Sequence, residues 1–215
     1  MTTGEELLFR LEKKDLSKEE LCSMAEKDFG LLPTLLEGIT SKKANVRYGC
    51  AKAIMDLSER HHKALYPYIE DIIRLLDSEY RIIVWNATIT IANLATVDKK
   101  NLIDGSFERY FELLKDPYMV TVANVVGNSG KIALAKPYLI PMITDRLLSV
   151  EELPLTPHLT EECKRVIIQK AIESFDSFFG KVQEKDPVIA FVRRYADSNR
   201  PGLRDAAKRF IGRWS

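Results

Sequence analysis

Apolar residues recur at helical spacing in this sequence, and the same arrangement returns roughly every forty residues. In the stretch 46–57, Val46, Cys50, Ala53, Ile54 and Leu57 fall at i, i+4, i+7, i+8 and i+11, which is one face of an α-helix. Four later stretches, 83–94, 121–132, 164–175 and 203–214, align with it without gaps. Their starts at 46, 83, 121, 164 and 203 are separated by 37, 38, 43 and 39 residues. A period in this range predicts a helical solenoid, whose units bury their apolar faces only by stacking on neighbours.

An apolar segment precedes each of these helices, as a repeat of paired helices A and B requires. The A segments are 31–39, 65–76, 107–114, 138–148 and 187–195. Pro33, Pro67 and Pro141 stand near the start of an A helix, where a missing N–H costs little. Asp116-Pro117 is expected to give the third B helix an N-cap and a first-turn proline. Residues 3–29 predict a helical hairpin with two S/T-x-x-E capping boxes, Thr3 with Glu6 and Ser17 with Glu20. An atypical first pair suits a terminal unit, which must cover one end of the core with a polar outer face. The expected organisation is one repeat domain over 1–215, with a cap at 1–29 and repeats at 31–61, 64–97, 105–134, 136–179 and 185–215. Repeat four carries a long connection, 149–160, with Pro154 and Pro157. It is either a tolerated insertion or a loop that touches a partner, since insertions in repeats map to loops on one face.

The A–turn–B unit resembles the HEAT repeat and, more broadly, armadillo-type α-solenoids. Val46-Arg47 and Leu203-Arg204 match the start of the HEAT helix-B motif V-R-x-x-A-A-x-A-L-G-x-L; Gly130 and Gly212 stand at its glycine; Asp77 and Asp116 occupy the turn. The resemblance covers residues 31–214. It implies an all-α fold, a right-handed superhelical solenoid of about five hairpins behind an N-terminal capping hairpin. It also implies an Asp–Arg ladder between repeats, interrupted where Val84 and Val122 replace arginine.

Composition narrows the function. Hydrophobic residues make up 46% and charged residues 29%, as in a soluble protein with a full core. The 32 cations and 31 anions leave a net charge of +1, which singles out neither nucleic acid nor a membrane. Cys22, Cys50 and Cys163 are widely spaced and form no C-x-x-C pair; they read as reduced thiols of a cytoplasmic protein. The first residues are charged and lack an apolar signal core, and no run of 18 apolar residues occurs, so neither secretion nor membrane spanning is expected. The chain has no G-x-S-x-G, P-loop, H-E-x-x-H or G-x-G-x-x-G motif. His61 and His62 are adjacent rather than the i, i+4 pair a helical metal site uses. Gly127 and Gly130 lie within a B helix and read as a close-packing or kink point. No enzyme, cofactor or metal is expected.

The face of the B helices opposite the core stripe is the candidate binding surface; in HEAT-like solenoids it lines the concave side. Positions +2, +6 and +9 from each repeat start are Tyr48, Lys52 and Met55, then Trp85, Ile89 and Ala92, then Ala123, Gly127 and Gly130, then Val166, Lys170 and Glu173, then Asp205, Arg209 and Gly212. Repeats one and two are apolar where water is expected, which marks partner sites, and Trp and Tyr are frequent hot-spot residues. Asn86, Asn93 and Asn124, with Asn128 a turn further on, are poor helix formers whose amides can bond both N–H and C=O of an extended peptide. Armadillo-type solenoids hold peptide backbones in this way. The expected partner site is therefore Tyr48, Lys52, Met55, Trp85, Asn86, Ile89, Asn93, Asn124 and Asn128, holding a protein segment. The competing reading packs Trp85 and Ile89 against the next repeat and bonds the asparagines to local backbone. In 193–215 seven cations face two carboxylates, so Arg204, Lys208 and Arg209 are candidates for contact with phosphate or an acidic partner. A nucleic-acid alternative rests on the resemblance: some HEAT-like proteins are DNA glycosylases for alkylated bases, with an aromatic and acidic cleft that Trp85 and Asp56 imitate.

Overall fold

The computed structural model describes residues 3–214, and every regular element among them is a helix. In chain order these are α1 (Gly4–Lys13), α2 (Lys18–Lys27), α3 (Leu32–Ile39), α4 (Ala44–Arg60), α5 (His62–Leu65), α6 (Ile69–Arg74), α7 (Arg81–Leu94), α8 (Leu102–Gly105), α9 (Phe107–Glu112), α10 (Met119–Ala135), α11 (Ile140–Leu148), α12 (Glu161–Phe178), α13 (Lys185–Arg193) and α14 (Pro201–Trp214). Single 3-10 turns extend several of the shorter helices. Helices α4, α7, α10, α12 and α14 carry the five repeated stretches. The fold is an all-helical repeat.

Local chemistry sets the boundaries. At α2 the capping box closes in both directions: the Ser17 N–H donates to Glu20 Oε2 at 2.8 Å and the Glu20 N–H to Ser17 Oγ at 3.1 Å. These bonds, the backbone one first, hold the Glu20 carboxyl below its ordinary range. At α1 the Glu6 N–H donates to Thr3 Oγ1 at 3.2 Å. Helix α10 departs from expectation. It begins at Met119 with Tyr118 in the N-cap place, and Asp116 Oδ1 accepts from the Tyr118 N–H at 2.8 Å instead of capping the helix. A residue before proline avoids helical geometry, so Asp116 and Pro117 form the turn and the helix starts beyond them.

The chain divides into two compact units, the first ending at Ser106 and the second starting at Phe107. In the first, α4 packs against α1, α2, α3 and α7, burying Leu7, Leu21, Leu35, Ile54, Leu57 and Ile91 almost completely. In the second, α12 lies between α10 and α14. Phe175 meets Phe178 and Phe191 with ring centroids 5.8 Å apart, and Phe179 meets Phe210 at 4.8 Å. Each such side chain contributes about 1.5–3 kcal/mol by leaving water.

Ionic links join successive helix pairs, though not through the turn aspartate the HEAT motif implied at Asp116. In the first unit Glu12 meets Lys43 at 2.9 Å, and Glu26 meets Arg60. In the second, Glu108 meets Arg146 at 2.6 Å, Glu162 meets Arg200, and Asp176 meets Arg213 at 3.3 Å. The last three pairs are 38, 38 and 37 residues apart, one repeat. The motif arginines serve their own turns instead: Arg47 Nη1 donates to Ser41 O at 2.8 Å and Arg204 Nη1 to Ser198 O at 3.4 Å, each six residues back.

The 149–160 connection is folded onto the second unit. Thr156 and Leu159 form an isolated bridge, Leu159 is buried, Thr156 Oγ1 donates to Pro117 O at 3.3 Å, and the His158 ring stacks on Tyr118 at 4.5 Å. Leu155 remains exposed. No helix among the described residues is long and apolar enough to cross a membrane.

Candidate functional site

In the first unit the surface in question is formed by α4 and α7. Beyond the exposed Arg81 at its start, α7 leaves Ile82, Trp85, Asn86 and Ile89 at least partly exposed between the buried stripes. They are spaced i, i+3, i+4 and i+7, one helical face. On α4 the corresponding residues are Tyr48, Lys52, Met55 and Asp56, all half-buried. Tyr48 is fixed from one side: the Arg47 guanidinium lies 4.8 Å from its ring and 3.6 Å from that of Tyr80. Burial of that guanidinium is compatible with its charge because two π faces and the Ser41 carbonyl receive it. Lys52 pairs with Asp56 one turn on, so the acidic group that imitated a glycosylase cleft is already bonded to a lysine.

Asn93 lies elsewhere. It is 9% exposed, and its Nδ2 donates to Ser58 Oγ on α4 at 2.8 Å. It joins two helices rather than presenting its amide on the surface. Asn86 is half-buried, and its carbonyl accepts from the Thr90 hydroxyl at 2.7 Å.

In the second unit α10 and α12 approach closely enough to leave a groove of about 350 Å³ lined by Asn124, Gly127, Asn128, Lys131, Lys170 and Glu173, among others. Glycine makes the approach. A Cβ on Gly130 would lie 2.4 Å from Ser177 Oγ and 3.3 Å from Ser174 O, and Ser174 Oγ donates to Val126 O at 2.6 Å across the same contact. Gly127 is different: it is exposed, and a Cβ there would meet only Lys170 Cδ, at 3.5 Å. Asn128 Nδ2 donates to Asn124 O at 2.8 Å, which is the local backbone bond of the competing reading. Asn124 also lines the groove, at the repeat position that Asn86 occupies in the first unit.

Two corrections to the expected face follow. Ala92 and Gly130, at position +9, are buried, while Ile82 and Val120, at position −1, are exposed. The departure at +9 is confined to α7 and α10: Gly130 is closed off by its approach to α12, whereas Met55 and Glu173 at the same position are half-buried and Gly212 is exposed. Stepping back one turn from Trp85 and Ala123 finds both missed residues. In the last repeat Lys208 and Arg209 are exposed, whereas Arg204 is half-buried and directed to Ser198 and Asp205.

Cys22 and Cys50 are buried free thiols, and Cys163 is half-buried and free. Burial pushes the Cys50 thiol up to about 12. Among the described residues no cluster of three or more His, Cys, Asp or Glu is arranged to hold a metal.

These features define an armadillo-like helical repeat. Solved structures agree. A designed armadillo repeat protein superposes with a TM-score of 0.66 at 18% identity over 99% of this chain and 94% of its own. A second, solved in complex with the peptide (KR)4, gives 0.66 at 16% identity over 98% of this chain and 92% of its own. Computationally designed armadillo repeat proteins for modular peptide recognition give 0.64 at 18% over 98% and 94%. At these identities the likeness is one of fold. No protein-family model and no curated protein matches the sequence.

Proposed function

We propose that this chain is a non-enzymatic scaffold or adaptor that holds a segment of a protein partner on the exposed faces of its second helices, α4 and α7 in the first unit and α10 and α12 in the second. The observation that carries this reading is the α10–α12 groove, where Gly127 leaves space and Asn124 stands on the wall. A segment of extended chain brings unpaired N–H and C=O groups, which an amide can receive in both senses. The apolar stripe of Ile82, Trp85 and Ile89 offers side-chain anchors of the kind that dominate protein interfaces. That two neighbours in fold are described as peptide-bound or made for peptide recognition supports the same use here. Three free thiols suit a reducing compartment such as the cytoplasm.

The test is affinity capture from lysate, with and without nuclease, using wild-type protein, Trp85→Ala and Gly127→Leu. Gly127→Leu fills the groove from an exposed position and leaves the core alone. Nuclease-resistant capture of a protein, lost in either variant while the helical spectrum is unchanged, is the expected result. Capture that persists in both variants refutes the stripe as the binding surface. Capture that vanishes with nuclease transfers the role to nucleic acid.

A further inference from the structure

We infer that a cleft beside α11 binds a small aromatic molecule carrying one hydroxyl or N–H group. The cleft has a volume of about 350 Å³ and lies between α11 and the connection from α12 to α13. It shares no lining residue with the α10–α12 groove, and neither reading depends on the other. Its floor is formed by the lining residues that are buried, Ile140, Thr144 and Val182. Thr144 breaks the pattern of the repeat. The stripe that each first helix turns inward is spaced i, i+3, i+4 and i+7, and it begins at Leu32, Ile69, Phe107, Ile140 and Val188. Its third member is Leu36, Ile73, Phe111 or Val192 in four helices and Thr144 in α11. Thr144 is 8% exposed, and its buried Oγ1 makes no hydrogen bond. A helical hydroxyl can return to the carbonyl four residues back, as Thr90 does to Asn86 O at 2.7 Å and Ser129 to Val125 O at 2.7 Å. Thr144 does not. Protein interiors leave few such groups without a partner, and one set in the floor of a cleft is a bonding point for what the cleft holds.

The rest of the lining sets the shape and charge of the ligand. The side chains around the hydroxyl are aliphatic, Ile140 and Val182 in the floor and the half-buried Leu148. The inserted part of the ligand is therefore apolar and uncharged, since a charge placed here has no partner. Asp145, Lys181 and Glu184 are exposed and hold both signs of charge at the rim, in water. Tyr138 lines the cleft with 58% of its surface exposed and offers a ring against which another can pack. The volume is at the lower end of the range for small-molecule sites, about 300–1,000 Å³, which suits one ring or two fused ones. Pro137, Pro141 and Pro187 also line the cleft and have no N–H to give a peptide backbone, which favours a free molecule over a protein segment. A threonine hydroxyl both donates and accepts. Phenols and indoles combine a ring for the cleft with a single O–H or N–H for Thr144.

The test titrates the full chain with phenol, indole and toluene and follows the backbone amides by NMR. Phenol and indole are expected to shift residues within 137–148 and 181–187. Thr144→Val keeps the shape of the side chain and removes the hydroxyl. In that variant the ratio of phenol to toluene affinity is expected to fall about two- to tenfold, and the urea midpoint to rise because the unpartnered group is gone. Leu148→Trp fills the cleft from a half-buried position and is expected to abolish the shifts from all three probes with the helical spectrum unchanged. N-acetyltyrosinamide, the same ring on a peptide backbone, is expected to bind no better than phenol. An affinity ratio unchanged in Thr144→Val, a urea midpoint lowered by it, or no shift at the cleft up to the solubility limit of the probes overturns the inference. N-acetyltyrosinamide binding tenfold or more tightly than phenol overturns the free-molecule class in favour of a protein segment.

Discussion

At Gly130 the backbone of α10 comes so close to α12 that an added methyl group would lie 2.4 Å from Ser177 Oγ and 3.3 Å from Ser174 O, so that the serine must turn and the backbone give slightly to admit it. Gly130→Ala gains about 1 kcal/mol in helix propensity but incurs overpacking of about 1–3 kcal/mol. Net destabilisation of around 1 kcal/mol is expected by urea denaturation, partly reversed by adding Ser177→Ala; a stabilised Gly130→Ala contradicts the close approach. Asn93→Ala breaks a buried bond to Ser58 and is expected to lose about 1–3 kcal/mol of stability, with partner capture intact under conditions where the variant is folded. Impaired capture by a fully folded Asn93→Ala would return that residue to the binding surface. Cys50 gives a pH dependence. Burial pushes its thiol from the ordinary 9.0 up to about 12, so its contribution is complete below about pH 9 and is lost as pH rises from there toward 12. Wild-type protein is therefore expected to lose stability relative to Cys50→Ala between pH 9 and pH 11; a constant difference contradicts a buried neutral thiol.

The helices themselves were legible because their chemistry is local. Apolar spacing in 46–57 and its four successors marks α4, α7, α10, α12 and α14, and Ser17 with Glu20 fixes the start of α2. What sequence could not supply was the flank of each helix. The expected stripe at +2, +6 and +9 assumed a helix covered on one side, but α4 packs on both α2 and α7, and α12 on both α10 and α14. Met55 on α4 and Glu173 on α12 nonetheless stay half-buried, whereas Ala92 on α7 is buried, Gly130 on α10 closes against α12, and Ile82 and Val120 on those two helices are exposed. Asn93 was drawn into the candidate site by residue type alone; its placement next to Ser58 depends on how α4 and α7 meet. The ionic links between helix pairs were equally hidden, since Glu108 and Arg146 are unremarkable surface residues until a repeat period separates them. Their link is solvent-exposed and is expected to contribute about 0.2–1 kcal/mol. A double-mutant cycle with Glu108→Gln and Arg146→Gln checks this, the coupling shrinking at high salt; coupling well above 1 kcal/mol would mark a buried network instead.

The repeat period carries the architecture, and the proposed function places binding on the exposed side chains of the second helices within each unit. Paired helices that cannot bury their apolar faces alone must stack, and stacking leaves the second helices of each unit with an open stripe. In the first unit the exposed face of α7 carries Ile82, Trp85 and Ile89; in the second, the α10–α12 groove holds Gly127 with Lys131, Lys170 and Glu173. The most direct test puts a photoreactive benzoylphenylalanine in place of Ile89, Asn128 or Met142 and maps which position crosslinks to the captured partner. Met142 lies on α11, a first helix of its pair, and is exposed, so it reports on the other row. Adducts from Ile89 and Asn128 and none from Met142 are the result expected; adducts from Met142 alone would contradict the assignment of binding to the second helices.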